Sequence, residues 1–363
     1  MNNKTKYLVI FLSVVLVFGC QPEKKETESE HPKNIIFLIG DGMGVSHIYA
    51  GMTANHGPLA MEQFRHIGFI KTYSSNSYVT DSGASGTAMS SGKKTKNGMI
   101  GMDPDTIVLR SVLEIAEEHG LASGLVSTSS ITHATPAAFI AHQPSRNMYE
   151  EIAADFLKTE IDVFIGGGRD HFMKREDGRD LTKELEERGY NILFDMDKIS
   201  GITEGKLAGL TADAHNPRYS EGRGDMLPDA TVTAMKILNN NKKGFFLMVE
   251  GSQIDWGGHA NSTEYIIEEV LDFDRAVAKA LEFAQNDGET LVVVTADHET
   301  GGLGINGGNF ENGTVEGGFT TKGHTGVMVP VFAYGPGAKE FTGIYENTAL
   351  FDKFLQAYGF SGN

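Results

Sequence analysis

Three apolar runs in this chain stop at an acid. Ile35–Ile39 runs into Gly40-Asp41-Gly42, Phe245–Val249 into Glu250-Gly251, and Leu291–Thr295 into Ala296-Asp297-His298. Runs that stay apolar, without polar alternation, suit strands covered on both faces. Ser123–Val126, Val163–Ile165 and Val331–Tyr334 are further strand candidates. Helix-patterned segments lie between, over 109–118, 148–158, 183–188, 230–238 and 262–284. This alternation predicts an α/β fold, a three-layer sandwich around a mostly parallel central sheet. Ligands of such sheets gather at the carboxyl ends of the strands. One acid there would be an ordinary turn residue; three, each beside glycine or histidine, mark a site.

The first 33 residues belong to something else. Lys4 and Lys6 precede an apolar run from Tyr7 to Phe18, twelve residues long. A membrane span needs about 20, so the run fits the core of a signal peptide over 1–19. It closes on Gly19-Cys20, with the only cysteine in the chain. That ending resembles a bacterial lipoprotein signal, which implies cleavage before Cys20, lipidation of Cys20 and export to the cell envelope, on its periplasmic face or at the cell surface. Residues 20–33 are polar and mixed in charge and read as a flexible tether. From 34 to 363 there is no repeat and no long linker, so one large catalytic domain is expected. A lone cysteine excludes an internal disulfide. The formal charge of -17 becomes about -19 once Lys4 and Lys6 are removed. Such a surface excludes nucleic acid as a partner, because its binders carry a basic patch or stripe.

Candidate chemistry collects around the strand-end acids. Asp255 and His259 are four apart, one helical turn, and would share a face. Asp297-His298 and His324 add further ligand types. Each element alone is weak evidence, since a capping aspartate or a loop histidine is commonplace. Together they offer four carboxylates (Asp41, Glu250, Asp255, Asp297) and three imidazoles (His259, His298, His324). That exceeds one tetrahedral ion and suits two nitrogen/oxygen zinc sites plus a harder, oxygen-held ion such as Mg²⁺. The nucleophile candidate is Ser82, in Thr80-Asp81-Ser82-Gly83-Ala84, where a helix is expected to begin. A helix start favours an anion, although a serine there could simply be an N-cap. No GxSxG elbow is present, so another activator is needed, and a metal can supply it.

The order of six segments resembles the signature blocks of alkaline phosphatases: Asn34–Gly44 (NIIFLIGDGMG), Thr80-Asp81-Ser82, Thr132–Ala138 (THATPAA), Val249–Asp255 (VEGSQID), Thr295–Glu299 (TADHE) and Gly323–Gly326 (GHTG). They span about 34 to 340. The resemblance implies hydrolysis of small phosphate monoesters through a phosphoserine on Ser82. It implies one Zn²⁺ on Asp41, Asp297 and His298, a second on Asp255, His259 and His324, and one Mg²⁺ on Asp41, Thr135 and Glu250. Arg146, eleven residues after Thr135, matches the family's phosphate-binding arginine. Its planar fork can bond two phosphate oxygens at once. The alternatives are a phosphodiesterase or other hydrolase of the same metal superfamily, and a lipid-anchored metal- or phosphate-binding protein without turnover.

Two positions depart from the best-known enterobacterial member, which has aspartate at His133 and lysine at Trp256. His133, Asp81 and Trp256 are therefore assigned supporting positions around the ligands, His133 acting through water. Between Asp297 and His324 many relatives insert a larger crown. Here residues 301–318 include eight glycines, so a small or absent crown is expected, reduced to a trimmed, mobile loop. Crowns often help build the family's dimer, which leaves a homodimer open.

Overall fold

The structure is a computed structural model that describes residues 31–360; the expected signal peptide, Cys20 and most of the expected tether lie outside the described residues. Strands β1 (Asn34–Gly40), β2 (His66–Lys71), β3 (Ala122–Ser130), β4 (Val163–Gly167), β5 (Tyr190–Leu193), β6 (Lys206–Leu210), β7 (Phe245–Gly251) and β8 (Thr290–Thr295) come first. After the short β9 (Glu299–Thr300), β10 (Leu303–Asn309), β11 (Thr314–Phe319) and β12 (His324–Thr325) come β13 (Val329–Tyr334) and β14 (Gly343–Glu346). Ten of them form one sheet in the order β14-β2-β13-β8-β1-β7-β3-β4-β6-β5. Only β13 runs against its neighbours β8 and β2; every other pairing is parallel.

Helices cover both faces, which is why the central strands are apolar on both sides. One face takes helices Val45–Ala54, Met226–Leu238 and Thr263–Asp287. The other takes Ser82–Ser91, Val112–Glu118, Ala134–Ala137 and Ala349–Tyr358. There Phe37 meets Phe354 edge-on at 4.9 Å, and Phe139 stacks on Phe246 at 6.2 Å, all four buried. Burying such a ring contributes about 1.5–3 kcal/mol.

All six predicted strands are present, as are the five predicted helices with ends shifted by a few residues. β8, β1 and β7 are adjacent, so Asp297, Asp41 and Glu250 reach the same edge. The glycine-rich segment departs from expectation. It is an ordered antiparallel hairpin of β10 and β11 rather than a mobile loop. Its backbone pairing does the ordering. Leu303 is buried, Phe310 lies 5.9 Å from Tyr49, and a Cβ on Gly317 would meet Thr263 Oγ1, so the glycines let the hairpin pack closely.

Candidate active site

Ser82 opens a helix whose ten residues are all buried. Small side chains permit this: a Cβ on Gly86 would lie 2.9 Å from that of Ala138. The N-cap is Asp81, accepting from the Ala84 N–H at 3.0 Å, so Ser82 is not spent on capping. Its Oγ lies 3.3 Å from Asp41 Oδ2 and 3.2 Å from His298 Nε2. The same His298 nitrogen is 3.1 Å from Asp297 Oδ2 and 3.4 Å from Asp41 Oδ1. In a serine–histidine–aspartate triad the carboxylate bonds the far ring nitrogen. Here two carboxylates, one imidazole nitrogen and the serine converge on one point, which is a ligand pattern.

A second group forms across the helix Gln253–His259. Asp255 and His259 share a face as their spacing predicts, with Oδ2 and Nε2 3.3 Å apart, and His324 Nε2 is 3.4 Å from Asp255 Oδ1. The outer nitrogens of both histidines are fixed by backbone carbonyls. His324 Nδ1 bonds Thr80 O at 2.9 Å, and His259 Nδ1 bonds Lys322 O. Such partners set the tautomer and aim the other nitrogen inward.

The third group is Asp41, Glu250 and His133, whose ligand atoms lie within 4.8 Å of one another. Thr135 Oγ1 is 3.5 Å from Asp41 Oδ2. His133, ranked below the ligands by sequence, thus sits within reach of the group itself, at the start of the short helix Ala134–Ala137. Arg146 donates from Nη1 to Asp81 Oδ2 at 2.9 Å, and its Nη2 is 3.4 Å from His133 Nε2. Trp256 stands 6.4 Å from His133, ring to ring.

A family model for alkaline phosphatase matches residues 32–316. The chain belongs to the alkaline phosphatase family. It is 36% identical to alkaline phosphatase 3 of Bacillus subtilis, covering 92% of this chain and 91% of that one, and 34% identical to the Escherichia coli enzyme, covering 92% and 88%. Among solved structures, the alkaline phosphatase of the Antarctic bacterium TAB5 superimposes with a TM-score of 0.88 at 44% identity, covering 92% of this chain and 100% of that one. A histidine-to-aspartate variant of the TAB5 enzyme holds Mg in its M3 site and gives a TM-score of 0.86 at 43% identity, over 92% of this chain and 99% of that one. This chain is accordingly a phosphomonoester hydrolase with the α/β sandwich of that family.

The electrostatics of the site call for cations. Burial pushes the Asp41 carboxyl well above the usual range, and Asp297, Asp255 and Glu250 push the same way. Glu250 is raised by burial too, despite hydrogen bonds from its serine neighbours. The Asp255 carboxyl is held low against burial by His259, His298 and His324. His259 is raised to about 9, chiefly by its bond to Asp255. Asp41 Oδ1, Glu250 Oε1, Asp297 Oδ2 and His133 Nδ1 are buried without a hydrogen bond. Orphaned acceptors at a carboxylate cluster fit divalent ions, which these donor types favour.

Several contributors escape sequence reasoning. Ser127 donates to Glu250 at 2.6 Å, and Ser129 Oγ reaches the same oxygen at 3.4 Å. Thr300 donates to Asp255 and contacts His298 Nδ1 at 3.2 Å. They sit in no recognisable spacing; only the alignment of β3 with β7 and of β9 with β12 brings them in.

Proposed function

We propose that this enzyme releases inorganic phosphate from small phosphate monoesters through a phosphoserine on Ser82. The observation that carries the reading is Ser82 Oγ, buried at a helix start and within 3.3 Å of Asp41 and 3.2 Å of His298. Asp41, Asp297 and His298 would hold one zinc, and Asp255, His259 and His324 the other. Asp41, Glu250 and Thr135 would hold a magnesium, with His133 in reach. Ions bound there supply Lewis acidity and lower the pKa of a bound oxygen.

The chain's own residues do the rest. Ser82 Oγ attacks phosphorus, and the P–O bond to the alcohol breaks as the alcohol leaves with a proton. Water then cleaves the phosphoserine, returning the proton to Oγ and freeing phosphate. The first-turn N–H groups and dipole of the helix beginning at Ser82 favour the phosphoryl oxygens. Arg146 contributes its Nη2 edge while Asp81 holds Nη1. His324 and His259, pinned by Thr80 and Lys322 carbonyls, keep their inner nitrogens in place.

The test is hydrolysis of p-nitrophenyl phosphate and of its bis-ester by the chain from Gln21 onward, after chelation and after adding back Zn²⁺ and Mg²⁺. Metal-restored preference for the monoester, lost in Ser82→Ala, is expected. A diester preference would overturn the substrate class, and activity in Ser82→Ala would overturn the nucleophile. The reading extends to an exported enzyme anchored through Cys20. Cys20→Ser should then move it from the membrane fraction to the soluble one, and an unchanged distribution would remove the anchor.

A further inference from the structure

Beside the phosphate-binding arginine stands a histidine that no motif marks. His215 is exposed, on the loop after β6. Its ring lies 4.9 Å from Trp256 and 5.5 Å from His133, nearly perpendicular to both. Trp256 and His133 are themselves half-buried. His133 Nε2 is the atom 3.4 Å from Arg146 Nη2. A wall of three rings therefore begins at the arginine and continues outward to solvent, ending in His215.

The loop that carries His215 is pinned on both sides. A Cβ on Gly167 would lie 2.1 Å from Ala214 O, so strand β4 passes directly beneath the loop. The backbone N–H groups of Arg169 and Asp170 donate to Ala212 O and Asp213 O at 3.0 Å. On the other side Gln253, fully buried on the helix that carries Asp255 and Trp256, donates from Nε2 to Asn216 O at 2.9 Å. Its Oε1 accepts from Tyr265 Oη at 2.8 Å. Arg223, sealed between Glu269 and Asp272, holds Pro217 O at 3.1 Å. An exposed side chain on a loop fixed in this way is pre-organised for contact.

The tautomer is fixed as well. The backbone N–H of Ser130 donates to His215 Nδ1 at 3.0 Å. A nitrogen that accepts carries no proton, so the proton resides on Nε2. His215 is thereby a neutral ring with one outward donor, and a poor partner for phosphate charge. It suits the other half of the ester.

Resting on the phosphomonoesterase reading above, we propose that His215 is a specificity-determining residue. With Trp256 and His133 it forms the wall that receives the alcohol half of the substrate, favouring planar groups that bear hydrogen-bond acceptors, as in aryl phosphates and nucleoside monophosphates. The ring faces supply stacking and the Nε2–H supplies one hydrogen bond.

The experiment compares wild type, His215→Ala and His215→Phe as zinc- and magnesium-loaded enzymes on p-nitrophenyl phosphate, adenosine 5′-monophosphate and glycerol 1-phosphate, with inorganic phosphate as inhibitor. An aromatic contact of ordinary strength corresponds to about a threefold to tenfold change in affinity. His215→Ala should raise KM by that factor for the two planar substrates. It should leave KM for glycerol 1-phosphate and the phosphate inhibition constant within about twofold. His215→Phe should restore p-nitrophenyl phosphate, where stacking suffices, and restore the nucleotide only in part. Equal changes on all three substrates and on phosphate would overturn the proposal and make His215 a prop for His133. No change on any would overturn it too. A wild type inactive on all three would instead refute the phosphomonoesterase reading itself.

Discussion

Arg146 offers the sharpest test of how this site holds phosphate. Its side chain is 22% exposed. Burial works against its charge, yet the Asp81 carboxylate more than compensates and holds the guanidinium firmly protonated. Asp81 uses Nη1 and His133 Nε2 lies 3.4 Å from Nη2, and Nη2 carries a second N–H that a substrate can use. A hydrogen bond to a charged group contributes about 1.5–3 kcal/mol. Arg146→Lys keeps the charge but loses the second prong of the fork, so kcat/KM on p-nitrophenyl phosphate should fall about 10- to 100-fold. Arg146→Ala loses both and should fall about 100- to 10,000-fold, with the inhibition constant for inorganic phosphate rising in parallel. The fold should survive, because Asp81 still accepts from the N–H groups of Ala84 and Gly98, each at 3.0 Å. The pair is mostly buried, so losing it costs about 1.5–3 kcal/mol, or roughly 2–5 °C in Tm for a domain of this size. A kcat/KM for Arg146→Ala within about threefold of wild type, with phosphate inhibition unchanged, would refute the reasoning.

Chelation should couple the site to stability. Asp41, Glu250 and His298 have raised pKa values in the folded chain, and His259 is raised to about 9. Groups shifted upward contribute stability that is present at low pH and lost as pH climbs, whereas Asp255 and Asp297, shifted downward, are already ionised by pH 5. The Tm gap between metal-loaded and chelated protein should therefore widen from pH 5 to 8, and a constant gap in thermal scans would contradict this. Far from the site, burial raises Glu117 to about 6, with Asp162 and Glu114 adding to the rise against hydrogen bonds from Ser123 Oγ and the Glu160 N–H. The stability it contributes is complete below about pH 4.5 and lost through pH 6. Glu117→Gln should escape a loss of up to about 2 kcal/mol, or about 3 °C, at pH 8; Tm profiles for the two proteins that run parallel from pH 4.5 to 8 would exclude it. Gly42 has φ +74°, and a Cβ there would lie 2.7 Å from Asp255 Cα. Gly42→Ala costs about 1–2 kcal/mol for the backbone alone and should displace Asp255, seen as reduced bound zinc by elemental analysis; full zinc content would show that the turn tolerates the methyl.

The sequence exposes what burial dictates. Ile35–Ile39, Phe245–Val249 and Leu291–Thr295 are apolar because helices cover both faces of β1, β7 and β8, and their terminal acids mark the site edge for the same reason. Where burial is partial, the signal fades. β2, with the sequence HIGFIK, alternates between buried and open positions, and β5, β6 and β14 are four- or five-residue strands toward the sheet's two edges. The reversal of β13 has no local signature, because an apolar run reads the same in either direction. The 301–318 hairpin is ordered by backbone pairing, which glycine content conceals. At the site, the carboxylates and imidazoles that could hold an ion were legible from type and spacing, His133 apart. Ser127, Ser129 and Thr300, which bond those carboxylates, were not, since they meet their partners only through strand register.

On the proposed reading, the charge arrangement ties substrate capture to bound cations. Isolated buried carboxylates are costly, by several kcal/mol each even after relaxation. This chain compensates in part: the N–H groups of Gly42 and His298 serve Asp297, Ser127 serves Glu250, and Thr300 serves Asp255. Yet Asp41 Oδ1, Glu250 Oε1 and Asp297 Oδ2 remain without hydrogen bonds, and the chain as a whole carries -17. Screening confines long-range repulsion to about 8–10 Å at ordinary salt, so a phosphate ester must be captured by what lies inside that radius. Arg146 faces four carboxylates there, offset only in part by His259 and His298, whose imidazoles are held toward their charged form. Without cations the edge is an acidic pocket in an acidic protein and repels its substrate. On the proposed reading, cations complete the edge, and the completed edge presents an anion with a net attraction.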